Sequence, residues 1–188
     1  PHSYDEIKKK HNLKDEKIVL AAAPLLMSDI KGGREVLRLA EKLKDKNIKF
    51  ILIGLKHDET GENFGSNVIA LERTEDQQEL AAYYSMADCF VICSEMENFP
   101  TSCVEAVCCG TPVVGYSAGG TAETAPEPLG LFCKYGDLDT LSSNLLYMLK
   151  NPPKTEYFEK IRQFYSAERM YREYLQVYNE LLDRGEKS

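Results

Sequence analysis

Two glutamates eight positions apart, Glu97 and Glu105, are the residues of this sequence best suited to hold a ligand. They lie in a polar stretch between two apolar runs, residues 89–93 and residues 113–116. Carboxylates accept hydrogen bonds from hydroxyl groups. The pair therefore suits a ligand that carries hydroxyl-rich groups at two separate places.

The polar stretch also has the signals of a short helix. Pro100 suits the first helical position, where a missing N–H group costs nothing, and Gly110 before Thr111-Pro112 indicates the end of the helix. The unit is then strand, loop, helix and strand, and in an open parallel sheet the loop after a strand's carboxyl end is the usual ligand site. Free N–H groups at the helix start attract phosphate. A nucleotide sugar, with phosphates between two hydroxyl-rich rings, fits this arrangement.

Three pieces of the sequence together resemble a known family. They are the Glu97 and Glu105 pair, the run Cys109-Gly110-Thr111-Pro112-Val113-Val114 and the loop Gly119-Gly120-Thr121-Ala122-Glu123. Residues 17–149 are similar to the donor-binding half of retaining glycosyltransferases of the GT-B fold, family 4 (glycosyl transferases group 1). The resemblance implies a hexosyl-type transferase that binds a nucleotide diphosphate sugar. The full enzyme would transfer the sugar, with retention at the anomeric carbon, to an acceptor held by an N-terminal domain that this sequence lacks.

The resemblance also implies a role for each matched residue. Glu97 would bind hydroxyls of the donor sugar, Glu105 those of the ribose, and Lys31 would offset the charge of the departing diphosphate. Glu97 and Lys31 are therefore the expected catalytic residues, and neither a metal ion nor a cofactor is expected. The expected donor-binding residues are Glu105, Phe99, Pro100, Thr101, Ser102, Gly119, Gly120 and, near the nucleotide base, Arg73.

Plainer interpretations of these residues stay open. Residues 102–105 match a capping box, in which Glu105 only satisfies a helix end. Lys31 could be a solvated lysine, and Gly119-Gly120 a simple turn. The family more often has Glu-Gly-Phe-Gly where this chain has Glu97-Asn98-Phe99-Pro100, and it has an arginine shortly before the lysine where this chain has none. Both differences favour an alternative, a non-catalytic module of the same fold, and a nucleotide-sugar epimerase or phosphorylase is a further alternative.

Apolar runs alternate with amphipathic patterns along the chain. This alternation predicts an α/β fold with a doubly wound parallel sheet, which is Rossmann-like as in the C-terminal half of GT-B enzymes. Strands are expected at residues 17–23, 48–54, 67–71, 88–93, 113–116 and 129–133, and helices around residues 36–43, 76–87, 100–109 and 137–150. No G-x-G-x-x-G follows the first strand, so the signature of dinucleotide binding is absent.

The predicted sheet occupies the middle of three segments. Residues 1–16 are polar and are expected to be a linker or a helix leading in from a missing N-terminal domain. Residues 17–150 form the expected nucleotide-sugar-binding domain. Residues 151–188 form an expected C-terminal helical tail, in which two aromatic-rich helices carry more apolar surface than a protein usually leaves in water.

Composition excludes several classes of function. A net charge of −7 argues against non-specific nucleic-acid binding, and no apolar run is long enough for a membrane span. The six cysteines form no C-x-x-C pair, so buried thiols in a reducing compartment are expected rather than a metal site. The expected location is therefore cytoplasmic, and any attachment to the inner face of a membrane would come through the missing domain. The chain begins at Pro1, without a signal peptide or a methionine, which is typical of a piece of a longer protein.

Overall fold

The computed structural model describes residues 5–185, with six strands and eight helices in that range. The strands are β1 Lys17–Ala22, β2 Ile48–Leu55, β3 Val68–Glu72, β4 Cys89–Ile92, β5 Val113–Tyr116 and β6 Gly130–Cys133. The helices are α1 Asp5–Lys10, α2 Gly33–Lys42, α3 Gln77–Met86, α4 Thr101–Cys109, α5 Thr121–Thr124, α6 Leu138–Lys150, α7 Thr155–Phe164 and α8 Ala167–Gly185. The expected linker begins in residues 1–4 and the expected tail ends in residues 186–188, both outside the described residues.

The six strands form one parallel sheet in the order β3-β2-β1-β4-β5-β6. The strand order reverses between β1 and β4, so the connections after these two strands leave toward opposite sides of a crevice. Ligands of doubly wound sheets bind in that crevice, at the carboxyl ends of the strands. The predicted fold class is confirmed, including the Rossmann-like sheet and the helices at the C-terminus.

Both faces of the sheet are covered, which explains why the strands read as continuous apolar runs. One face packs against α2 and α6, with Leu39 and Leu145 fully buried. The other packs against α3, α4 and α7, with Tyr83 and Val107 buried in the same cluster. The two buried clusters fix the strand ends, and the strand ends position the loops of the crevice.

Two local details differ from the sequence expectations. Pro100 is the N-cap of α4 and not its first helical residue, because its ψ of 104° is extended and its carbonyl accepts the Cys103 N–H at 3.1 Å. Helix α5 was not expected, since four residues are too few to show a periodic pattern. The hydroxyls of Thr121 and Thr124 hold that turn by donating to backbone carbonyls three residues earlier.

The C-terminal segment divides into two unlike parts. Helix α7 packs on the domain: Phe158 and Ile161 are buried, and Arg162 donates from Nε to the Cys108 carbonyl, near the end of α4, at 2.6 Å. Helix α8 instead leaves large side chains such as Tyr171 and Leu182 mostly exposed. The boundary near residue 150 therefore does not separate α7 from the core.

Candidate functional site

A cleft of about 910 Å³ opens at the carboxyl ends of the strands beside the switch point. Eight of the ten residues singled out in the sequence line it: Lys31, Arg73, Glu97, Phe99, Pro100, Thr101, Ser102 and Glu105. They come from the connections after β1, β3 and β4, which the sheet order brings together. Their individual roles in binding stay predictions.

The two expected catalytic residues contact each other. Lys31 donates from Nζ to Oε1 of Glu97 at 2.8 Å, and the glutamate side chain is only 12% exposed. Lys31 reaches this position because Gly32, with a φ of 71°, lies directly against Cys93, the residue after β4: a Cβ atom at Gly32 would be 2.0 Å from the Cys93 carbonyl oxygen. The loop of Glu97 is tied to the same segment, since the Glu95 N–H donates to the Ile30 carbonyl at 2.9 Å.

Gly119 and Gly120 lie behind the loop of Glu97 and are not among the described residues that line the cleft. A Cβ atom at Gly119 would be 1.9 Å from the Glu97 carbonyl oxygen, and one at Gly120 would be 2.0 Å from the Asn98 carbonyl oxygen. The Gly120 N–H also donates to the Glu97 carbonyl at 3.3 Å. The sequence signal at this pair therefore corresponds to support of the loop, and a direct part in binding stays a prediction.

The N-terminus of α4 faces the cleft between the two glutamates. Pro100 supplies no side-chain cap, and the N–H groups of Thr101 and Ser102 belong to the first turn, where helix geometry gives them no partner inside the helix. The positive end of the helix dipole adds to the attraction for an anion. This part of the cleft is suited to a phosphate group.

Glu105 lies one turn into α4 and does not close a capping box. That arrangement needs an N-cap at Ser102, whereas the helix begins after Pro100. Glu105 is exposed and lies beside Tyr84, another residue of the cleft. Burial, together with this carboxylate, raises the pKa of Tyr84 well above its ordinary value. The exposed carboxylate of Glu105 thus already interacts with Tyr84, and its remaining lone pairs can accept hydrogen bonds from a ligand.

The far end of the cleft is formed by the connection between β3 and α3. Arg73 is exposed there, whereas Asp76 caps α3 by accepting from the Gln78 and Glu79 N–H groups. The adjoining wall includes Leu80, Tyr84 and Phe90, of which only Leu80 is partly exposed and offers a flat ring an apolar contact. Sequence reasoning missed Tyr84 and Leu80 as site residues, because their apolar spacing marked them only as the core face of a helix.

The electrostatic balance of the cleft is acidic. Two cations line it, Lys31 and Arg73, together with four acidic residues: Glu75, Asp76, Glu97 and Glu105. Because Lys31 is paired with Glu97, the attraction of the cleft for a phosphate group rests on the helix N-terminus and on the exposed Arg73.

Possible metal ligands and cysteine thiols are the other candidates for chemistry in the described part of the chain. Within residues 5–185 no three His, Cys, Asp or Glu side chains are grouped so as to hold a metal ion. All six cysteines are free thiols, and burial raises the pKa of Cys103 to about 12. The same residues include no helix with the length and apolarity that a membrane span needs.

Comparison with known proteins gives a family and a fold. The family model described as "Glycosyl transferases group 1" matches residues 3–163. N-acetyl-alpha-D-glucosaminyl L-malate synthase of Bacillus anthracis is 25% identical over 112 residues, which cover 56% of this chain and 29% of that protein.

Two solved structures share the fold. Sucrose-phosphate synthase from Thermosynechococcus elongatus superposes with a TM-score of 0.80 at 24% identity, covering 97% of this chain and 50% of that one. HepE of Anabaena, solved in complex with UDP, has a TM-score of 0.78 at 17% identity, covering 94% of this chain and 52% of that one. The chain thus spans about half the length of these structures and less than a third of the curated relative.

Proposed function

The chain belongs to the glycosyl transferases group 1 family, and we propose that it is the donor-binding half of a glycosyltransferase that uses a nucleotide diphosphate sugar. One observation carries this function. A helix N-terminus suited to phosphate lies between two carboxylates suited to hydroxyls, Glu97 and Glu105, along a single cleft at the switch point of the sheet. The name of one structural relative, which was solved in complex with UDP, agrees with a nucleotide as the ligand.

The order of groups along the cleft suggests how the donor would lie. The nucleotide base would occupy the apolar end near Arg73 and Tyr84, and Glu105 would accept hydrogen bonds from the ribose hydroxyls. The diphosphate would meet the N–H groups at the start of α4, and the sugar would lie beside Glu97. The cleft volume of about 910 Å³ is at the upper end of the range for small-molecule sites and suits a ligand of this length.

The chemistry of such a site is stabilisation of a leaving group. When the bond between the anomeric carbon and the phosphate oxygen breaks, the nucleoside diphosphate keeps the electron pair and gains negative charge. Lys31 and the α4 N–H groups would stabilise that charge without a metal ion. Lys31 donates to Glu97, so donor binding would exchange this partner for phosphate and leave Glu97 to the sugar hydroxyls.

We also propose retention at the anomeric carbon and an acceptor bound outside this chain. The solved relatives are about twice as long as the chain, which supports an acceptor site in the part of the enzyme that it does not match. Sustained sugar transfer by the 188-residue chain alone would contradict an acceptor site outside this chain.

Calorimetric titration with UDP, GDP and ADP tests the proposed function. Saturable binding of one nucleotide is expected, weakened by Glu105→Ala about tenfold or more, because hydrogen bonds to a charged group contribute roughly 1.5–3 kcal/mol. The matched control is Glu159→Ala, an exposed acid on α7 outside the cleft, which should leave the affinity unchanged. If the complete protein binds none of the three nucleotides at millimolar concentration, the proposed function is wrong.

A second candidate is a non-catalytic module that has kept the fold. The acidic balance of the cleft favours it, since residues 24–30 hold no arginine and Lys31 is already neutralised by Glu97. The same titration separates the two functions, because a module that has lost the donor site would bind no nucleotide even in the complete protein.

A further inference from the structure

The loop that carries Glu97 is held on its outer side by the corner between α7 and α8. Phe99 packs edge-on against Tyr165, with ring centroids 6.2 Å apart and an angle of 74° between the planes. Phe99 is 51% exposed, so this ring contact is a large part of what restrains its side chain. On the inner side the same loop rests against Gly119 and Gly120, as described above.

Tyr165 is itself held through its hydroxyl and its ring, and the ring that it packs against is held in turn by Arg169. Its hydroxyl donates to the Thr124 carbonyl at 3.2 Å, which ties it to α5 directly after the glycine pair. Its ring packs edge-on against Phe164 at 5.1 Å. Arg169, in the first turn of α8, lies 3.7 Å over the Phe164 ring and donates from Nη1 to the Phe164 carbonyl at 3.1 Å. A side chain that is held in this way can restrain the loop that Phe99 belongs to.

We propose that Tyr165 is a positioning residue for the cleft: it holds Phe99, and through Phe99 the backbone between Glu97 and the start of α4. The expected effect of Tyr165 on the affinity for the donor rests on the proposed function, whereas its restraint of the loop does not. Tyr165 touches neither end of the Lys31–Glu97 pair in the described contacts, so it acts through the loop and not on the ligand. Because α8 begins two residues after Tyr165, the corner also links the exposed helix to the loop.

The restraint can be measured directly, since the sequence contains no tryptophan. A Phe99→Trp substitution introduces a single fluorescent reporter at the contact. In this background, time-resolved anisotropy is compared for Tyr165, Tyr165→Ala and Tyr165→Phe, with Tyr147→Ala as the control for removal of an exposed tyrosine from α6. We expect a larger fast component for Tyr165→Ala only, with recovery in Tyr165→Phe, because phenylalanine keeps the ring.

The consequence for binding is measured in the native Phe99 background. Tyr165→Ala should weaken the nucleotide that the parent chain binds, among UDP, GDP and ADP, by about two- to tenfold, the range expected for loss of an aromatic pair. Phe99→Ala should weaken it by a similar factor, and the double substitution by no more than either alone, because both remove one contact. Circular dichroism checks that each variant is folded, and Tyr165→Leu replaces Tyr165→Ala if the alanine variant unfolds.

The outcomes distinguish the two proposals. Unchanged anisotropy after removal of the Tyr165 ring, or an unchanged Kd for the nucleotide that the parent chain binds, overturns the positioning role. A larger fast component in a parent chain that binds no nucleotide supports the restraint of the loop and counts against the proposed function alone.

Discussion

Replacement of Gly119 by alanine should disturb the loop of Glu97 from behind, because Gly119 does not itself line the cleft. Gly119 has a φ of 57°, and an added Cβ atom would lie 1.9 Å from the Glu97 carbonyl oxygen. Gly136 offers a matched control, because it also has a positive φ, 81°, and nothing lies within 4 Å of an added Cβ atom. The difference between the two alanine variants isolates the contact from the backbone strain.

The size of the effect follows from two costs. Alanine in the left-handed region costs about 1–2 kcal/mol at either position. Only at Gly119 must a neighbouring backbone also move, since ordinary contacts begin at 3.4 Å, and such overpacking typically costs about 1–3 kcal/mol more. We therefore expect the free energy of unfolding to fall by about 2–5 kcal/mol for Gly119→Ala and by about 1–2 kcal/mol for Gly136→Ala.

Urea unfolding monitored by circular dichroism gives both free energies, and a nucleotide titration of the folded variants gives the change at the cleft. Gly119→Ala should also weaken nucleotide binding, because the displaced loop carries Glu97 and leads into α4. Equal destabilisation by the two substitutions would show that the loop moves aside at no cost. The support assigned to the glycine pair would then be wrong.

Four further substitutions test the charge pair, the packing of α7 and a partly buried histidine. Glu97→Gln should leave the affinity for a nucleoside diphosphate without sugar unchanged or higher, because the substitution frees Lys31 for phosphate. Lys31→Gln should lower the same affinity. Calorimetry measures both affinities. Phe158→Ala should lower the free energy of unfolding by about 3–5 kcal/mol, since this buried ring joins α7 to the core. The Nε2 atom of His11 is 2.9 Å from the Tyr83 hydroxyl oxygen, and the pKa of His11 is lowered by burial and, to a smaller extent, by Lys10. The free energy of unfolding should therefore fall as the pH drops below about 6.5, because the unfolded chain takes up the proton first. His11→Gln should flatten this pH dependence in urea unfolding.

Each of these has a matched control. Lys150→Gln removes an exposed lysine outside the cleft and should not change nucleotide binding. Phe164→Ala removes a ring that is 52% exposed and should cost clearly less than Phe158→Ala. His57 lies beside Glu72, which raises its pKa, so its substitution should alter the pH dependence in the opposite sense to His11. An identical pH dependence of stability in the parent chain and in His11→Gln between about pH 7.5 and 5.5 would contradict the account of His11.

The sheet and its helices could be predicted from the sequence because the signals are local. A strand buried on both faces needs a continuous apolar run, and each of the six expected strands overlaps an observed one. Asp76 and Asp137 were expected to open helices, and the structure has each as a side-chain N-cap. The exact start of α4 was missed by one residue, because proline is acceptable both at the first helical position and just before it.

The contacts that shape the cleft could not be predicted in the same way. Lys31 and Glu97 are 66 residues apart and meet only because the sheet order places β1 beside β4. Phe99 and Tyr165 meet because α7 packs on α4, which depends on the volume of buried side chains such as Phe158. Motif matching predicted which residues belong to the site, whereas tertiary packing decides which of them contact each other.

The position of the Glu97 loop follows from segments that come later in the chain. Pro100 fixes its own φ near −69°, which limits the last residue of the loop. The backbone of Glu97 and Asn98 is positioned by the glycine pair, Gly119 and Gly120. The side chain of Phe99 is positioned by Tyr165. A chain that ended before α7 would keep every motif residue and lose one of these two supports. The affinity of the cleft should therefore depend on residues beyond the motif. A variant shortened to residues 1–152 should bind nucleotide more weakly than the full chain, with a Kd raised by about the same factor as in Tyr165→Ala. Equal affinity of the shortened and full chains, with both folded, would show that the glycine pair alone is sufficient.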